Sequence, residues 1–305
     1  QRIGLEPLEK STRYVQFGNK VGGRYLYYIP GPDLERLGLL AEYSETLNRL
    51  FETYVSLQQP LIAWFKANFA EKDPVLEKKA FDTLRGLLPM ATLGQVAFRG
   101  NAQAFEYLIN RTAKHPLGEF RWISAALKTE LDKEIPSLLL RVDDPRTGEY
   151  QEYLASRAEH VQKFIRSSKM ERESPPISRE TKPAVRLVEF DPEAEIKICA
   201  AILFPAGHLS WEDNMRMVSA LPPEKRKELL RTYLRGRTER WQKVGRAFES
   251  SYLRFEITMN VGAYRDLHRH RMATQERQLF SCHHGYDVPE EIIEAGLDAQ
   301  FREAL

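Results

Sequence analysis

The chain has 305 residues and a formal net charge of +2. Its length and its hydrophobic content of 42% are enough for one or two domains with their own cores. It shows no apolar run of the ~20 residues that a membrane-spanning helix needs, no secretory signal and only two cysteines, so the sequence predicts a cytoplasmic protein. The charge is uneven, because residues 223–271 hold thirteen Lys/Arg against six Asp/Glu, which indicates an anionic partner.

The first 142 residues alternate short extended segments with amphipathic helices. Residues 11–17 and 24–29 are rich in aromatic and β-branched side chains and are joined by glycines, which is typical of two short strands. Apolar residues then recur every three or four positions from 33 to 69, which predicts a long amphipathic helix. The remaining predicted elements are helices over 75–87, 101–113 (with Asn101 as N-cap) and 118–132, and a strand over 95–98.

The composition becomes polar between residues 143 and 184. A helix is predicted over 149–167, and the proline-containing segments 174–178 and 181–183 after it are typical of an exposed linker. The predicted elements beyond it are strands over 185–190 and 253–257, helices over 192–203, 211–219 and 222–236, a helix ending near 269–271 and an amphipathic helix in the tail from 289.

Three polar side chains near the start form the first candidate binding group. Because side chains alternate along an extended chain, Glu9, Ser11 and Arg13 are expected on one face. A carboxylate, a hydroxyl and a guanidinium together can bind an anionic nucleotide, with the arginine on the phosphate. The alternative is a solvated strand face with an ordinary cross-strand ion pair, which these three residues by themselves favour.

A second candidate group is cationic and lies at the end of the helix near residue 270. Arg265 and Arg269 are four apart on one helical face, with His270 and Arg271 beside them. The helix dipole favours cations at a helix C-terminus. Cations packed this densely nevertheless repel one another unless an anion or an electron-rich ring lies between them.

Two further patterns carry weaker signals. Arg111 and His115 are four apart near the end of the predicted 101–113 helix, where the dipole again offers a structural explanation. Cys282, His283 and His284 are adjacent and lack the spacing of a zinc site, so no metal is predicted.

These groups together resemble the signature of the flavin-dependent, or alternative, thymidylate synthase family, Arg-His-Arg-x-x-Ser-x-Asn-Glu-x-Ser-x-Arg-Tyr. Its second half is present as Glu9-x-Ser11-x-Arg13-Tyr14. Its first half is present as Arg269-His270-Arg271-x-x-Thr274, with threonine where the family has serine. The other blocks similar to the family are Arg85-x3-Pro89, Asn101-Ala102 and Arg111-x3-His115-x3-Glu119.

The resemblance implies an α+β fold of two partial thymidylate synthase modules, each a small mixed sheet flanked by long helices. Residues 1–142 correspond to the rear half of one module, 143–184 to a helical and Pro-rich linker, and 185–305 to the front half of a second module. In the family the two halves of the signature meet across subunit boundaries. The resemblance therefore implies a homo-oligomer, a dimer or larger, with its sites at the interfaces.

By the same resemblance, the protein is an enzyme that methylates dUMP to dTMP with FAD as cofactor and with NADPH and methylenetetrahydrofolate as co-substrates. The catalytic residues it implies are Ser11 and Arg269. The substrate-binding residues it implies are Glu9, Ser11, Arg13, Arg85, Arg111 and Arg269. The cofactor-binding residues it implies are Arg269, His270, Arg271, Thr274, Asn101 and His115.

Several positions depart from the family pattern and leave two other interpretations open. Gln103 stands where the family has arginine, Ser250 where it has histidine, and Asp266 where it has a glutamine that lies against the nucleotide. A carboxylate at 266 repels a phosphate, which favours a degenerate member that binds flavin or nucleotide without turnover. The other interpretation, an RNA-binding protein using the 223–271 stretch, is weaker because Trp241 stands nearly alone there as a stacking aromatic.

Overall fold

The computed structural model describes residues 4–168, 184–270 and 272–305. Its helices are α1 (Gly31–Leu37), α2 (Leu40–Asn68), α3 (Asp73–Leu84), α4 (Ala102–Thr112), α5 (Gly118–Glu134), α6 (Pro136–Leu139), α7 (Pro145–Ser167), α8 (Ala194–Leu203), α9 (Trp211–Ala220), α10 (Pro223–Tyr233), α11 (Val261–Leu267), α12 (Glu290–Glu294) and α13 (Asp298–Ala304). Its strands are β1 (Leu5–Glu9), β2 (Val96–Gly100), β3 (Ala184–Phe190) and β4 (Leu253–Thr258). The α+β class predicted from the sequence is confirmed, with two small two-stranded sheets. Among the described residues no helix is long and apolar enough to cross a bilayer.

The chain divides into two compact units. Unit 1 combines Gln1–Thr181 with Asn260–Leu305, and unit 2 is Lys182–Met259. The tail that follows β4 thus belongs to the same unit as the N-terminal region, whereas the sequence grouped it with residues 185–259. The assignment of these regions to halves of family modules stays a prediction.

The core of unit 1 forms between α2, α3 and the C-terminal tail. Apolar side chains recur along α2 at helical spacing, so one face is buried, including Tyr54, Leu57 and Leu61. Ile292 of α12 and Phe301 of α13 pack into the same cluster. Because burial of such side chains is the main favourable contribution to folding, the tail is an integral part of this unit.

Several predicted helices end earlier than their apolar patterns suggest. The helix expected over 33–69 is divided into α1 and α2 at Gly38, whose φ of 70° is left-handed and ends α1. The tail helix is interrupted in the same way at Gly296, with φ of 69°. The helix expected to end near 269–271 ends at Leu267.

The two strands predicted at 11–17 and 24–29 are wrong. Residues 12–14 form a turn, in which the Tyr14 N–H donates to the Ser11 carbonyl oxygen at 3.4 Å. The ladder of β2 instead pairs with residues 5–9, so residues 11–17 have no partner in it. In 24–29 the chain forms an isolated antiparallel bridge between Tyr27 and Thr92 instead of a strand. Its aromatic residues pack on α2, where the rings of Tyr25 and Phe51 stack with centroids 4.9 Å apart.

The β1–β2 ribbon positions the first candidate group. The strands are antiparallel, with Glu9 opposite Val96 at one end and Leu5 opposite Gly100 at the other. Asn101 then begins α4, and its side-chain oxygen accepts a hydrogen bond from the Ala104 N–H at 2.8 Å. The predicted N-cap is confirmed.

Helix α7 occupies the start of the region predicted as a linker. Its Gln151 is buried and donates a hydrogen bond from Nε2 to Asn110 Oδ1 of α4 at 3.0 Å. This part of 143–184 is therefore packed on unit 1. The proline-containing segments 174–178 and 181–183 lie outside the described residues.

Unit 2 has a small core and a second ribbon. β3 and β4 are antiparallel, with Ala184 opposite Thr258 and an irregularity between Leu187 and Glu189. Helices α8 and α9 bury Cys199, Ala200 and Val218 between them. Most side chains of the ribbon are exposed.

Candidate functional site

A cluster of four arginines and three carboxylates forms in unit 1. It brings together the end of β1, the turn after it, the end of α3 and the segment of α11. Its members are Glu9, Arg13, Asp82, Arg85, Arg265, Asp266 and Arg269. We call it the arginine cluster. All seven side chains are partly exposed, so solvent and solutes reach them.

Glu9 joins the two halves of the predicted signature. Nη2 of Arg265 lies 2.5 Å from its Oε1, and Nη2 of Arg269 lies 4.0 Å from the same oxygen. Glu9 ends β1, whereas Arg265 lies in the last turn of α11. The contact thus joins residues that are 256 positions apart in the chain.

Asp82 lies at the centre of the cluster and orients two arginines. Arg13 donates to it from Nε at 3.1 Å and from Nη2 at 2.9 Å, a bidentate geometry. Arg85, three residues further on, places its Nε 3.1 Å from Oδ1 of the same carboxylate. The hydrogen bond and charge of Asp82 raise the pKa of the Arg13 guanidinium above its ordinary value.

Asp82 is a site residue that the sequence did not predict. Its spacing of three from Arg85 on a predicted helix was the signal that could have found it, because residues three apart lie on one helical face. The contact with Arg13, 69 residues away, carried no comparable signal.

Asp266 brings a further carboxylate to the cluster. Its Oδ2 lies 3.7 Å from Nη1 of Arg13, and its Oδ1 lies 3.9 Å from Nε of Arg269. It therefore partly neutralises two of the arginines that the resemblance implies for the nucleotide. The carboxylate that was expected to repel a phosphate thus lies between Arg13 and Arg269.

Gly262 allows Arg85 to lie against the beginning of α11. A Cβ at position 262 would lie 2.6 Å from Nη2 and 3.0 Å from Cζ of Arg85, closer than van der Waals contact permits. Any side chain here would displace the guanidinium. Gly262 is thus a positioning residue that the sequence analysis did not single out.

Ser11 is placed differently from the sequence expectation. It does not share a strand face with Glu9 and Arg13, because it begins the turn after β1. Its Oγ accepts a hydrogen bond from the Arg13 N–H at 3.2 Å, a local bond typical of serine in turns. Ser11 thereby shapes the segment that carries Arg13, and its predicted catalytic role stays a prediction.

The segment after α11 carries the remaining residues of the first half-signature. Gln275 holds it to the helix end, since its Nε2 donates to the carbonyl oxygens of Leu267 at 3.1 Å and of His270 at 3.2 Å. Thr274 lies next to Gln275 in irregular structure. Arg271 lies outside the described residues.

Three more of the implied residues lie at the ends of α4: Asn101 precedes its first residue, Arg111 is in its last turn, and His115 follows it. Asn101 follows Gly100, which lies four ladder positions from the Val96–Glu9 pair. At a strand rise of ~3.3 Å per residue, this separates Asn101 from the Glu9 end of the ribbon by about 13 Å or more. Arg111 donates from Nη1 to the Tyr107 hydroxyl at 2.9 Å.

His115 has an environment that favours the neutral form of its ring. Its Nδ1 accepts a hydrogen bond from the Leu117 N–H at 3.2 Å, and its ring centroid lies 4.5 Å from that of Phe120. Burial, followed by the charges of Arg121 and Arg111, lowers the pKa of the His115 imidazole. The hydrogen bond fixes the tautomer, which leaves Nε2–H as a donor.

Comparison with known proteins places the first part of the chain in a family. Residues 1–137 match the family model described as thymidylate synthase complementing protein, Thy1. Residues 1–137 belong to the Thy1 family. The predicted family is thereby confirmed. The Thy1 match includes Glu9, Arg13 and Arg85 but ends before Arg265, so the likeness of residues 185–280 to a front half-module stays a prediction.

Relatives of the whole chain are longer proteins. Two UPF0159 proteins, from Chlamydia muridarum and Chlamydia pneumoniae, are each 36% identical over 316 and 314 residues, which is all of this chain and 58% of the relative. A UPF0159 protein of Thermoplasma acidophilum is 29% identical over 342 residues, all of this chain and 64% of the relative. The chain thus spans about three-fifths of the curated relatives it matches.

Proposed function

We propose that this chain, whose residues 1–137 match the Thy1 family, is part of a flavin-dependent thymidylate synthase-like protein and that the arginine cluster binds dUMP. One observation supports this most: Glu9 of one half-signature contacts Arg265 and Arg269 beside the other half-signature within a single chain. Four of the implied substrate-binding residues, Glu9, Arg13, Arg85 and Arg269, thus meet in one cluster without a partner chain, whereas Arg111 lies apart in the last turn of α4.

The cluster has the chemistry that a nucleoside monophosphate requires. Guanidinium groups bind phosphate oxygens through charge-assisted hydrogen bonds. Arg13 and Arg85, held by Asp82, bind the phosphate in this proposal. Arg269 then faces the pyrimidine, where donors to the carbonyl oxygens stabilise the charge that develops as C5 becomes nucleophilic.

FAD is the proposed cofactor, held by Arg269, His270 and Thr274 and, at a separate place, by Asn101 and His115. The donor set fits. The Arg269 side chain is 62% exposed, its nearest carboxylate oxygen within the described part of the chain lies 3.9 Å away, and His115 offers Nε2. Cations and neutral donors of this kind stabilise the N1–C2=O edge of a reduced flavin. When bound, the flavin supplies the reducing electrons, with NADPH and methylenetetrahydrofolate as the proposed co-substrates.

The separation of the two flavin groups within one chain supports a homo-oligomer. Asn101 and His115 of one copy and Arg269 and His270 of another can then contribute to one flavin site, as the family resemblance implies. A closed symmetric assembly, with a two-fold dimer as its simplest form, is the proposed arrangement.

Calorimetric titration of dUMP into the Arg13→Ala variant tests the proposal. The loss of one charge-assisted contact to phosphate costs about 1.5–3 kcal/mol, so affinity should fall at least about tenfold. The control is Arg36→Ala, which removes an arginine paired with Asp33 at 3.6 Å on α1 and should leave dUMP affinity unchanged. Equal affinities for the two variants would refute the assignment.

A degenerate binder is the second candidate, and the position of Asp266 favours it. Its carboxylate lies within 4 Å of both Arg13 and Arg269, where it competes with an anionic ligand. The two candidates differ in turnover rather than in binding. Release of the C5 hydrogen from dUMP labelled at that position, with FAD, NADPH and methylenetetrahydrofolate present, would support the enzyme, and dUMP binding without release would support the degenerate member.

A further inference from the structure

A second group of cations surrounds a cavity in unit 2. The chain after α10 forms a loop over residues 234–245, which borders an open cavity of about 400 Å³. We call it the basic loop. The residues that line the cavity are Tyr233, Leu234, Arg235, Gly236, Arg237, Gln242, Lys243, Val244 and Gly245.

Hydrogen bonds within the basic loop hold it in shape. Oε1 of Gln242 accepts from the backbone N–H groups of Thr238 and Glu239 at 2.8 and 2.9 Å. Arg237 in turn donates from Nε to the Gln242 carbonyl oxygen at 3.0 Å and from Nη2 to the Arg240 carbonyl oxygen at 3.3 Å. The cavity is thus formed in advance of any ligand, which lowers the entropic cost of binding one.

Two glycines allow the basic loop to close. Gly236 and Gly245 have φ values of 84° and 85°, which residues with a side chain rarely adopt. A Cβ at position 245 would also clash with the hydroxyl oxygen of Tyr233. Tyr233 therefore packs directly on the backbone of the returning chain.

The charges of the cavity are not balanced by acids. Arg235, Arg237 and Lys243 line it, and its lining includes no carboxylate. The side chains of Arg235 and Lys243 have no ion-pair partner among the described residues of unit 2. Several other cations of the unit are paired, as Lys225 is with Glu228 at 2.8 Å and Arg226 with Glu195 at 2.7 Å.

We propose that the basic loop is a binding site for the phosphate group of a small phosphorylated ligand. Three cations around one concave space repel one another, and a phosphate between them relieves that repulsion while accepting their hydrogen bonds. A concave site of this volume suits a small molecule. Extended RNA would need several stacking aromatics, whereas Trp241, 75% exposed, is the aromatic residue within the loop.

The cations of this site are different residues from those of the arginine cluster. Its cations lie in unit 2, outside the residues 1–137 that match the Thy1 family. Binding at the two places can therefore be separated by variants of each.

Calorimetric titration of the full chain with inorganic pyrophosphate tests the proposal. The Arg235→Gln and Lys243→Gln variants should each bind about tenfold more weakly, as expected for loss of one charge-assisted contact. Lys225→Gln, which removes a paired cation of the same unit, should leave the affinity unchanged. Arg13→Ala should also leave this binding step unchanged, because it alters only the cluster of unit 1.

Two outcomes would overturn the proposal. One is pyrophosphate affinity that is the same in the Arg235→Gln, Lys243→Gln and Lys225→Gln variants. The other is a single-stranded oligonucleotide that binds the loop far more tightly than pyrophosphate and loses its affinity on Trp241→Ala, which would make the loop a nucleic-acid site. Thermal unfolding of each variant shows whether the fold is intact, and Gln substitution keeps the side chains polar for that reason.

Discussion

In unit 1 the four arginines of the cluster lie among three carboxylates, whereas the basic loop of unit 2 sets Arg235, Arg237 and Lys243 around a cavity whose lining holds none. An anion that enters the cluster must compete with Asp266, so its binding depends on the placement of each donor. An anion that enters the cavity of the basic loop meets no carboxylate in its lining. The number of cations is therefore a better guide to anion binding at the basic loop of unit 2 than at the arginine cluster of unit 1.

The two units also differ in the size of their hydrophobic cores, and the core of unit 1 is the larger. Unit 1 buries a large cluster that extends from Tyr54 to Ala304, whereas the cluster of unit 2 is centred on Cys199, Ala200 and Val218. The free energy from burial scales with the apolar area removed from water. Unit 1 should therefore tolerate the strain of a preorganised polar site better than unit 2.

The largest expected effect is on the core that supports the arginine cluster. Phe301, 1% exposed, packs in the unit 1 cluster, so Phe301→Ala should lower the free energy of unfolding by about 3–5 kcal/mol. Denaturant unfolding measures this, and Leu305→Ala, at an exposed position, should change it by less than about 0.5 kcal/mol. Similar values for the two variants would mean that the tail is not part of the core.

An intermediate effect is expected from removing the competing carboxylate. Asp266→Asn should raise the affinity for dUMP about fivefold, which corresponds to about 1 kcal/mol for like charges at a partly exposed site. Calorimetry with Asp33→Asn as control, a carboxylate paired with Arg36, isolates the effect. A lower affinity after Asp266→Asn would show that Asp266 orients the arginines rather than opposing the phosphate.

The smallest expected effect is a pH dependence of unit 2. Asp191 accepts hydrogen bonds from Nζ of Lys197 at 2.9 Å and from the Glu193 N–H at 3.0 Å. The bond from Lys197 is the main reason that the pKa of the Asp191 carboxyl is lowered. Its contribution to stability is therefore fully present above the unfolded pKa of about 3.9 and is lost as pH falls through the lower folded pKa.

Unfolding curves of the chain and of Asp191→Asn test this pH dependence. The two should differ at neutral pH and converge in strong acid, since protonation removes the same charge as the substitution. A difference that stays constant down to the lowest pH would contradict the assignment. Glu212→Gln, at an exposed pair with Arg216, is the control and should show little difference at any pH.

Features that depend on neighbouring residues, such as helix caps, could be predicted from the sequence. Contacts between residues far apart in the chain could not. Asn101 was recognisable as an N-cap because a cap needs only its own helix. The strand predicted at 11–17 failed because pairing depends on a partner far along the chain, and β2 faces residues 5–9 instead.

In the candidate site, too, the sequence predicted individual residues but not their long-range contacts. The Glu9, Arg13 and Arg269 positions followed from the resemblance, whereas the contacts of Arg13 with Asp82 and Asp266 are set by how α3 and α11 pack. Gly262 illustrates why: nothing in its local sequence shows that the Arg85 guanidinium approaches it. Such proximity exists only in the folded unit.

The contribution of the tail to the unit 1 core has a consequence for synthesis of the protein. Ile292 and Phe301 cover apolar residues of α2, yet more than two hundred residues separate Phe301 from the end of that helix at Asn68. At ~5–20 residues per second, the ribosome needs roughly 12–50 s to make that stretch. During this interval the part of the α2 face that the tail covers is exposed on the nascent chain, even once α3 has packed on the rest, which makes this helix a natural target for chaperones.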